Sequence, residues 1–203
     1  MAKRRSLLSR VLRGLLWAVG GWLFLTLGAV LLLRWVDPPT TAFMLRDRSI
    51  AWWQEDKAYR FRHEWVDWKD ISPQAKLAVI ASEDQKFAAH YGFDLESISA
   101  ALEDRRKGGR TRGASTLSQQ VAKNLFLWPG QSWVRKGLEA WFTLLIEACW
   151  NKQRILEVYL NVAEFGKGVY GVGAASTAFF NKPAARLTAA MLLCAVSALG
   201  SHS

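Results

Sequence analysis

Gly113-Ala114-Ser115-Thr116-Leu117-Ser118-Gln119-Gln120-Val121-Ala122-Lys123-Asn124 packs small, hydroxyl, amide and ammonium groups into what reads as a helix start. Thr116 with Gln119 fits a capping box, so a helix is predicted from there to about Leu127, where Pro129-Gly130 breaks it. Thr116, Gln119 and Lys123 are three and four residues apart and share a face. Helix N-termini attract anions through free N–H groups and the dipole, and an added lysine makes a pyrophosphate cradle plausible. A well-capped surface helix is the plainer alternative; the polar density of 115–124 tips the balance toward function.

Upstream lies Glu83-Asp84-Gln85-Lys86-Phe87. Ser72-Pro73 predicts a helix start, with Ser72 as cap and proline in the first turn. That helix is expected to run to about Ala89 and to end at His90-Tyr91-Gly92. Adjacent helical residues point about 100° apart, so only one of Glu83 and Asp84 can face a given cleft. Glu83 follows Val79 and Ile80, and partial desolvation would suit it to general-base work. Asp84 would support the helix or pair with a cation. A solvated acidic pair remains the alternative.

Asp94 is expected to cap a helix to about Lys107, followed by a basic, glycine-containing loop over 108–113. Ser132 caps the next helix, with Val134, Leu138, Phe142, Leu145 and Ile146 at helical spacing. On it Arg135 and Glu139 are i, i+4, with Lys136 alongside; a surface ion pair is the competing account. Gln153 to Val162 reads as an amphipathic helix, Gly166, Gly168, Gly171 and Gly173 as a turn, then a helix from about Ala174 to Phe180 and a last one from Leu187. No stretch shows sustained strand alternation, so the fold class is mainly α. Residues 42–70 read as a short helix and an irregular segment near the bilayer surface. Its aromatics (Trp52, Trp53, Tyr59, Phe61, Trp65, Trp68) suit either core or an interfacial belt.

The first residues differ from the rest. Lys3, Arg4, Arg5, Arg10 and Arg13 precede Leu15–Leu33, a charge-free run spanning about 28 Å as a helix. A cleaved signal peptide would have a shorter apolar run and a small-residue cleavage site, so an uncleaved anchor is expected. The cations predict a cytoplasmic basic tail over 1–14, a transmembrane anchor over 15–35, and an outward-facing domain over 36–203. Five of the ten net positive charges lie in the tail. The remaining five suit an anionic headgroup or polymer beside a membrane. No zinc-finger, RNP or recognition-helix pattern points to nucleic acid. Cys149 and Cys194 sit in apolar runs and read as buried small hydrophobes. His63, His90 and His202 show no metal spacing, and no G-x-S-x-G elbow, P-loop or H-E-x-x-H is present.

Four ordered segments carry a resemblance. They are Glu83-Asp84-Gln85-Lys86-Phe87 with His90-Tyr91-Gly92-Phe93-Asp94; Gly113 through Asn124; Arg135-Lys136-Gly137-Leu138-Glu139; and Ile155-Leu156-Glu157-Val158-Tyr159-Leu160-Asn161 with Phe165-Gly166. Together they resemble glycosyltransferase family 51, the membrane-bound peptidoglycan glycosyltransferases that polymerise lipid II, and most of all its monofunctional biosynthetic form from Gram-negative bacteria. The resemblance implies a lysozyme-like helical domain behind one N-terminal transmembrane helix, held in the inner membrane with the catalytic domain in the periplasm. It implies Glu83 as catalytic base and Glu139 as the second acid, organising nearby cations. Lys123, Arg135 and Lys136 would lie near the donor pyrophosphate. Ser115, Thr116, Gln119, Gln120 and Asn161 would line the cleft, with Asp84 beside the base. Implied partners are lipid II, the growing glycan chain, membrane lipid and other cell-wall synthesis proteins. No cofactor is implied; some relatives respond to magnesium or manganese, but no ligand set is legible.

Two departures stand out. Gly113-Ala114 replaces a glycine pair, and after Leu187-Thr188 the chain lacks the acidic, alanine-rich helix expected of the family. A truncated or frameshifted copy with an exposed lobe core and lowered stability is therefore expected. A lysozyme-like glycan hydrolase and a membrane-anchored, non-catalytic interaction protein are the competing readings.

Overall fold

The computed structural model describes residues 7–106, 115–130 and 132–199. Two compact units divide at Asp37. In the first, α1 (Leu7–Leu33) is a helix whose 25-residue stretch Ser9–Leu33, with an 18-residue window of mean hydropathy 2.1, is long and apolar enough to cross a membrane. It starts several residues before the expected anchor because Arg10 and Arg13 are good helix formers and do not interrupt the backbone pattern. Thr26 Oγ1 bonds to the carbonyl of Trp22 at 3.0 Å, so its hydroxyl is satisfied within the helix.

The second unit is mainly α. Local capping chemistry sets most of its helix starts. Thr41 Oγ1 accepts from Met44 N to open α2 (Ala42–Trp53). Two residues of strand, β1 (Arg62–His63), follow. Ser72 caps α3 (Pro73–Glu83), and its hydroxyl also donates to Leu187 O at 2.6 Å. Asp94 Oδ1 accepts Ser97 N at 3.0 Å to open α4 (Leu95–Arg106). The capping box of Thr116 and Gln119 opens α5 (Leu117–Phe126), and Ser132 opens α6 (Trp133–Cys149). Asn151 caps α7 (Lys152–Val162). Then come β2 (Glu164–Gly166), β3 (Val169–Tyr170), α8 (Gly171–Phe180) and α9 (Ala189–Leu199).

The main departure from expectation is α3. It ends at Glu83, not near Ala89, because Asp84 leaves the helix with φ −158° to reach partners outside it. The second is a three-stranded sheet in the order β1-β3-β2, parallel across the first pair and antiparallel across the second. Its strands are too short to show alternation in the sequence. The expected amphipathic helix over 153–162 is present as α7: Ile155, Val158, Leu160 and Val162 are fully buried and it packs between α5 and α8. Each such side chain contributes about 1.5–3 kcal/mol through burial. Phe126 and Phe142 stack at 4.3 Å to join α5 to α6. The cysteines are a third correction: Cys194 is exposed and Cys149 only half-buried, because their helices are covered on one side.

The aromatics of 42–70 divide between the two expected uses. Trp52 and Trp53 are exposed at the end of α2. Trp68 and Trp65 instead lie under cations, Lys76 at 3.9 Å and Arg154 at 5.5 Å.

Asn161 ties the end of α7 to the segment after β1. Its Nδ2 donates to Val66 O at 2.9 Å and Glu157 O at 3.0 Å, and its Oδ1 accepts Val66 N at 2.7 Å. The next turn needs glycine: Gly171 has φ +81°, and a Cβ there would meet Asn161 O at 2.6 Å. Asn161→Ala is expected to lower unfolding free energy by about 2–3 kcal/mol, since it strands the backbone groups of Val66. Denaturant unfolding of the detergent-solubilised protein checks this; an unchanged midpoint would contradict the clamp.

Candidate active site

The carboxylate of Asp84 is buried, with 3% of its side chain exposed. Its Oδ2 accepts the Leu117 N–H at 3.0 Å, and His90 Nε2 lies 2.9 and 3.0 Å from its two oxygens. An acceptor at the first turn of α5 satisfies an otherwise unpaired donor and complements the helix dipole. Asp84 therefore fastens the end of α3 to the start of α5. The turn between is held by Lys152, whose Nζ donates to His90 O at 2.6 Å and to Glu147 Oε1 at 2.8 Å, while Ser118 Oγ bonds the same glutamate.

This junction leaves Glu83, half-buried as the last residue of α3, facing α5. Gln120 Nε2 donates to Glu83 Oε2 at 2.9 Å. Behind it, the Tyr159 hydroxyl lies 3.5 Å from Gln120 Oε1. Burial first, and the charge of Glu83 second, push the Tyr159 phenol well above its usual range. It stays protonated and orients the amide so that its NH₂ meets the carboxylate.

Thr116 and Gln119 are deeply buried and saturated by each other. Thr116 N donates to Gln119 Oε1 at 3.0 Å, and Gln119 N to Thr116 Oγ1 at 3.3 Å. Thr116 Oγ1 also donates to Gly92 O at 2.6 Å. They build the helix start; Gln120, bonded to Glu83, and Lys123 are the polar side chains that α5 turns toward the acid. Ser115 is exposed. The basic loop over 108–113 lies outside the described residues. Asn161 is fully buried, with both side-chain polar atoms used by the clamp above.

The cations converge from two helices. Glu139 on α6, with 4% of its side chain exposed, bonds Arg135 Nη1 at 2.8 Å and also Lys136 Nζ. Arg135 Nε is buried and has no hydrogen-bond partner among the described residues. Lys123 on α5 pairs with no carboxylate among the described residues; its ammonium lies over the neutral Phe43 ring, 5.6 Å from the centroid. Burial, above all, holds the Lys123 ammonium below the ordinary lysine range; Glu139 and Glu83 favour its charge while Arg135 and Lys136 oppose it. Glu83, Lys123, Arg135, Lys136 and Glu139 are therefore one electrostatic cluster, with three cations against two carboxylates.

Three contributors escaped the sequence. His90 drew no role because its partner is a carboxylate brought close by a turn, not by helical spacing. Glu147 and Lys152 straddle a helix boundary, so no i, i+4 pattern marks them.

A half-buried carboxylate held by an amide, beside unsatisfied cations in a helical domain, has the layout of a group-transfer enzyme with an anionic leaving group. A family described as Transglycosylase matches residues 49–201, and the chain belongs to that family of enzymes. It is 55% identical over 183 residues to a biosynthetic peptidoglycan transglycosylase of Pseudomonas entomophila (strain L48), covering 90% of this chain and 75% of the relative. A namesake from Stutzerimonas stutzeri (strain A1501) is 55% identical over 194 residues, 95% of this chain and 78% of the relative. One from Xanthomonas campestris pv. campestris (strain B100) is 50% identical over 182 residues, 88% and 74%.

The lowered pKa of Lys123 fixes a sign. Its charge is lost at lower pH than that of an exposed lysine. In that window the unfolded chain binds more protons, so stability rises with pH while anion affinity falls. Inorganic pyrophosphate binding, titrated against pH, is expected to weaken before ordinary lysines deprotonate; a fall only at the ordinary lysine range would contradict the assignment.

Proposed function

We propose that this chain is a peptidoglycan glycosyltransferase that polymerises lipid II into β-1,4 glycan strands and releases undecaprenyl pyrophosphate. The observation that carries this reading is the pair of unspent cationic donors, Lys123 Nζ and Arg135 Nε, in one cluster with Glu83. A hydrolase of finished glycan has no pyrophosphate to hold and would leave these desolvated charges without purpose.

In this scheme Glu83 takes the proton from the 4-hydroxyl of the N-acetylglucosamine of lipid II. The freed oxygen attacks C1 of the terminal N-acetylmuramic acid of the growing chain. The bond from C1 to the pyrophosphate oxygen breaks, and the α-linked donor becomes a β-glycoside. Gln120 fixes the carboxylate for the proton transfer. Lys123 and Arg135 take up the charge that grows on the leaving pyrophosphate, in a site whose dipoles are already in place. Glu139 is bonded to Arg135 and Lys136, which fits it to hold cations in position, not to accept a proton. Asp84, Thr116, Gln119 and Asn161 shape the cleft from behind, with Ser115 at its exposed edge. No resident cofactor is assigned, and omission of magnesium and manganese tests for a divalent-cation need.

The N-terminal helix serves as a single-pass anchor in the inner membrane. The five cations before Leu15 favour a cytoplasmic tail and a periplasmic catalytic domain. That placement puts the cleft on the side where a lipid-linked donor and the growing glycan chain are both present.

Labelled lipid II incubated with the detergent-solubilised protein is expected to give muramidase-sensitive polymer on a gel. Glu83→Gln is expected to cut the rate by at least about 100-fold with an unchanged melting profile. Polymer formed at the parent rate by the variant would remove Glu83 from the mechanism; no polymer from the folded parent protein would remove the polymerase reading.

A further inference from the structure

Phe43 lies on α2, six residues before the stretch that the family description covers, which starts at residue 49. Its ring is nevertheless the contact of Lys123 Nζ, with the ammonium 5.6 Å from the ring centroid. The helix that carries it is fixed at several points. Thr41 caps it, Met44 beside Phe43 is fully buried, and Asp47 Oδ2 accepts the Tyr170 hydroxyl of β3 at 2.5 Å. α2 also packs directly on α5, which bears Lys123.

The choice of partner matters chemically. A carboxylate against Lys123 would neutralise the ammonium and compete with an anionic ligand. A ring face attracts the cation through its quadrupole yet offers no acceptor that an anion must displace. Arg135 and Lys136 show the contrast, since both are bonded to Glu139. The charged groups that act on Lys123 are Glu139, Arg135 and Lys136 from α6 and Glu83 from α3; from α2 the contact is the ring.

We propose that Phe43 is a positioning residue of the active site: its ring holds the Lys123 ammonium in place, charged and unspent, for the pyrophosphate of the lipid-linked donor. The proposal rests on the reading of Lys123 as an anion-binding group. It extends the site to the first half of α2, ahead of residue 49 where the family-matched region begins, so this helix is part of the machinery and not merely a connector.

The test uses the full chain in detergent, with Phe43→Leu, Phe43→Trp and Lys123→Met. Leucine keeps the apolar volume and removes the ring. Phe43→Leu is expected to raise KM for lipid II about 3–10-fold with kcat little changed, and Phe43→Trp to restore the parent KM. A second readout is independent of turnover. With lysines ¹³C-dimethylated and the Lys123 signal assigned by its loss in Lys123→Met, Phe43→Leu is expected to lower the Lys123 titration midpoint, because the charged form loses its ring, and Phe43→Trp to return it. An unmoved midpoint in the folded Phe43→Leu variant overturns the proposal even if KM rises, since the ring would then act only as packing. A parent-like KM in Lys123→Met overturns the anion-binding reading itself, and the role of Phe43 falls with it whatever the titration shows.

Discussion

The bond from the Asp84 carboxylate to the first turn of α5 is the constraint on which the site depends. Two neighbouring acids receive opposite environments through it. Asp84 is withdrawn from solvent and shared between a helix N-terminus and His90. Glu83, one residue earlier, is left half-buried at the end of α3 with an amide donor. The same contact stops α3 early, since a continuing helix would carry Asp84 away from Leu117. One carboxylate thus fixes the backbone and frees the other for chemistry.

Around that junction, polar groups are either spent or deliberately left over. Thr116, Gln119, Asn161 and Glu147 use their hydrogen-bonding capacity on backbone and neighbouring side chains. Glu139 binds two cations of its own helix, which lowers their mutual repulsion, and the Phe126–Phe142 stack joins α5 to α6. Among the described residues Lys123 pairs with no carboxylate, and the Nε of Arg135 has no hydrogen-bond partner. Desolvated charge of that kind costs stability in the unliganded protein and strengthens attraction for an anion.

Much of this was legible in the sequence wherever the cause is local. Ser72, Asp94, Thr116 with Gln119, and Ser132 mark helix starts because the capping bond spans only a few residues. The charged groups of the site were likewise visible from their order along the chain. What could not be read depends on contacts distant in sequence. The stop of α3 is set by Leu117, 33 residues away, against a run from Gln85 to Ala89 that would otherwise extend the helix. Asn161 suggests a cleft-lining amide by type, but its partner Val66 lies 95 residues back. The sheet escapes notice because two- and three-residue strands have no period to detect. Phe43 carries no motif at all; only the packing of α2 on α5 brings it to Lys123.

The most direct test of this account is amide exchange at Leu117 in Asp84→Ala, measured alongside glycan synthesis by the same preparation. Loss of the carboxylate is expected to speed exchange at the first turn of α5 and to cut the synthetic rate at least about 10-fold, while the buried amides of α7 keep their protection. A variant that keeps Leu117 protected and polymerises at the parent rate would show that the junction does not position Glu83, and the account would fail at its foundation.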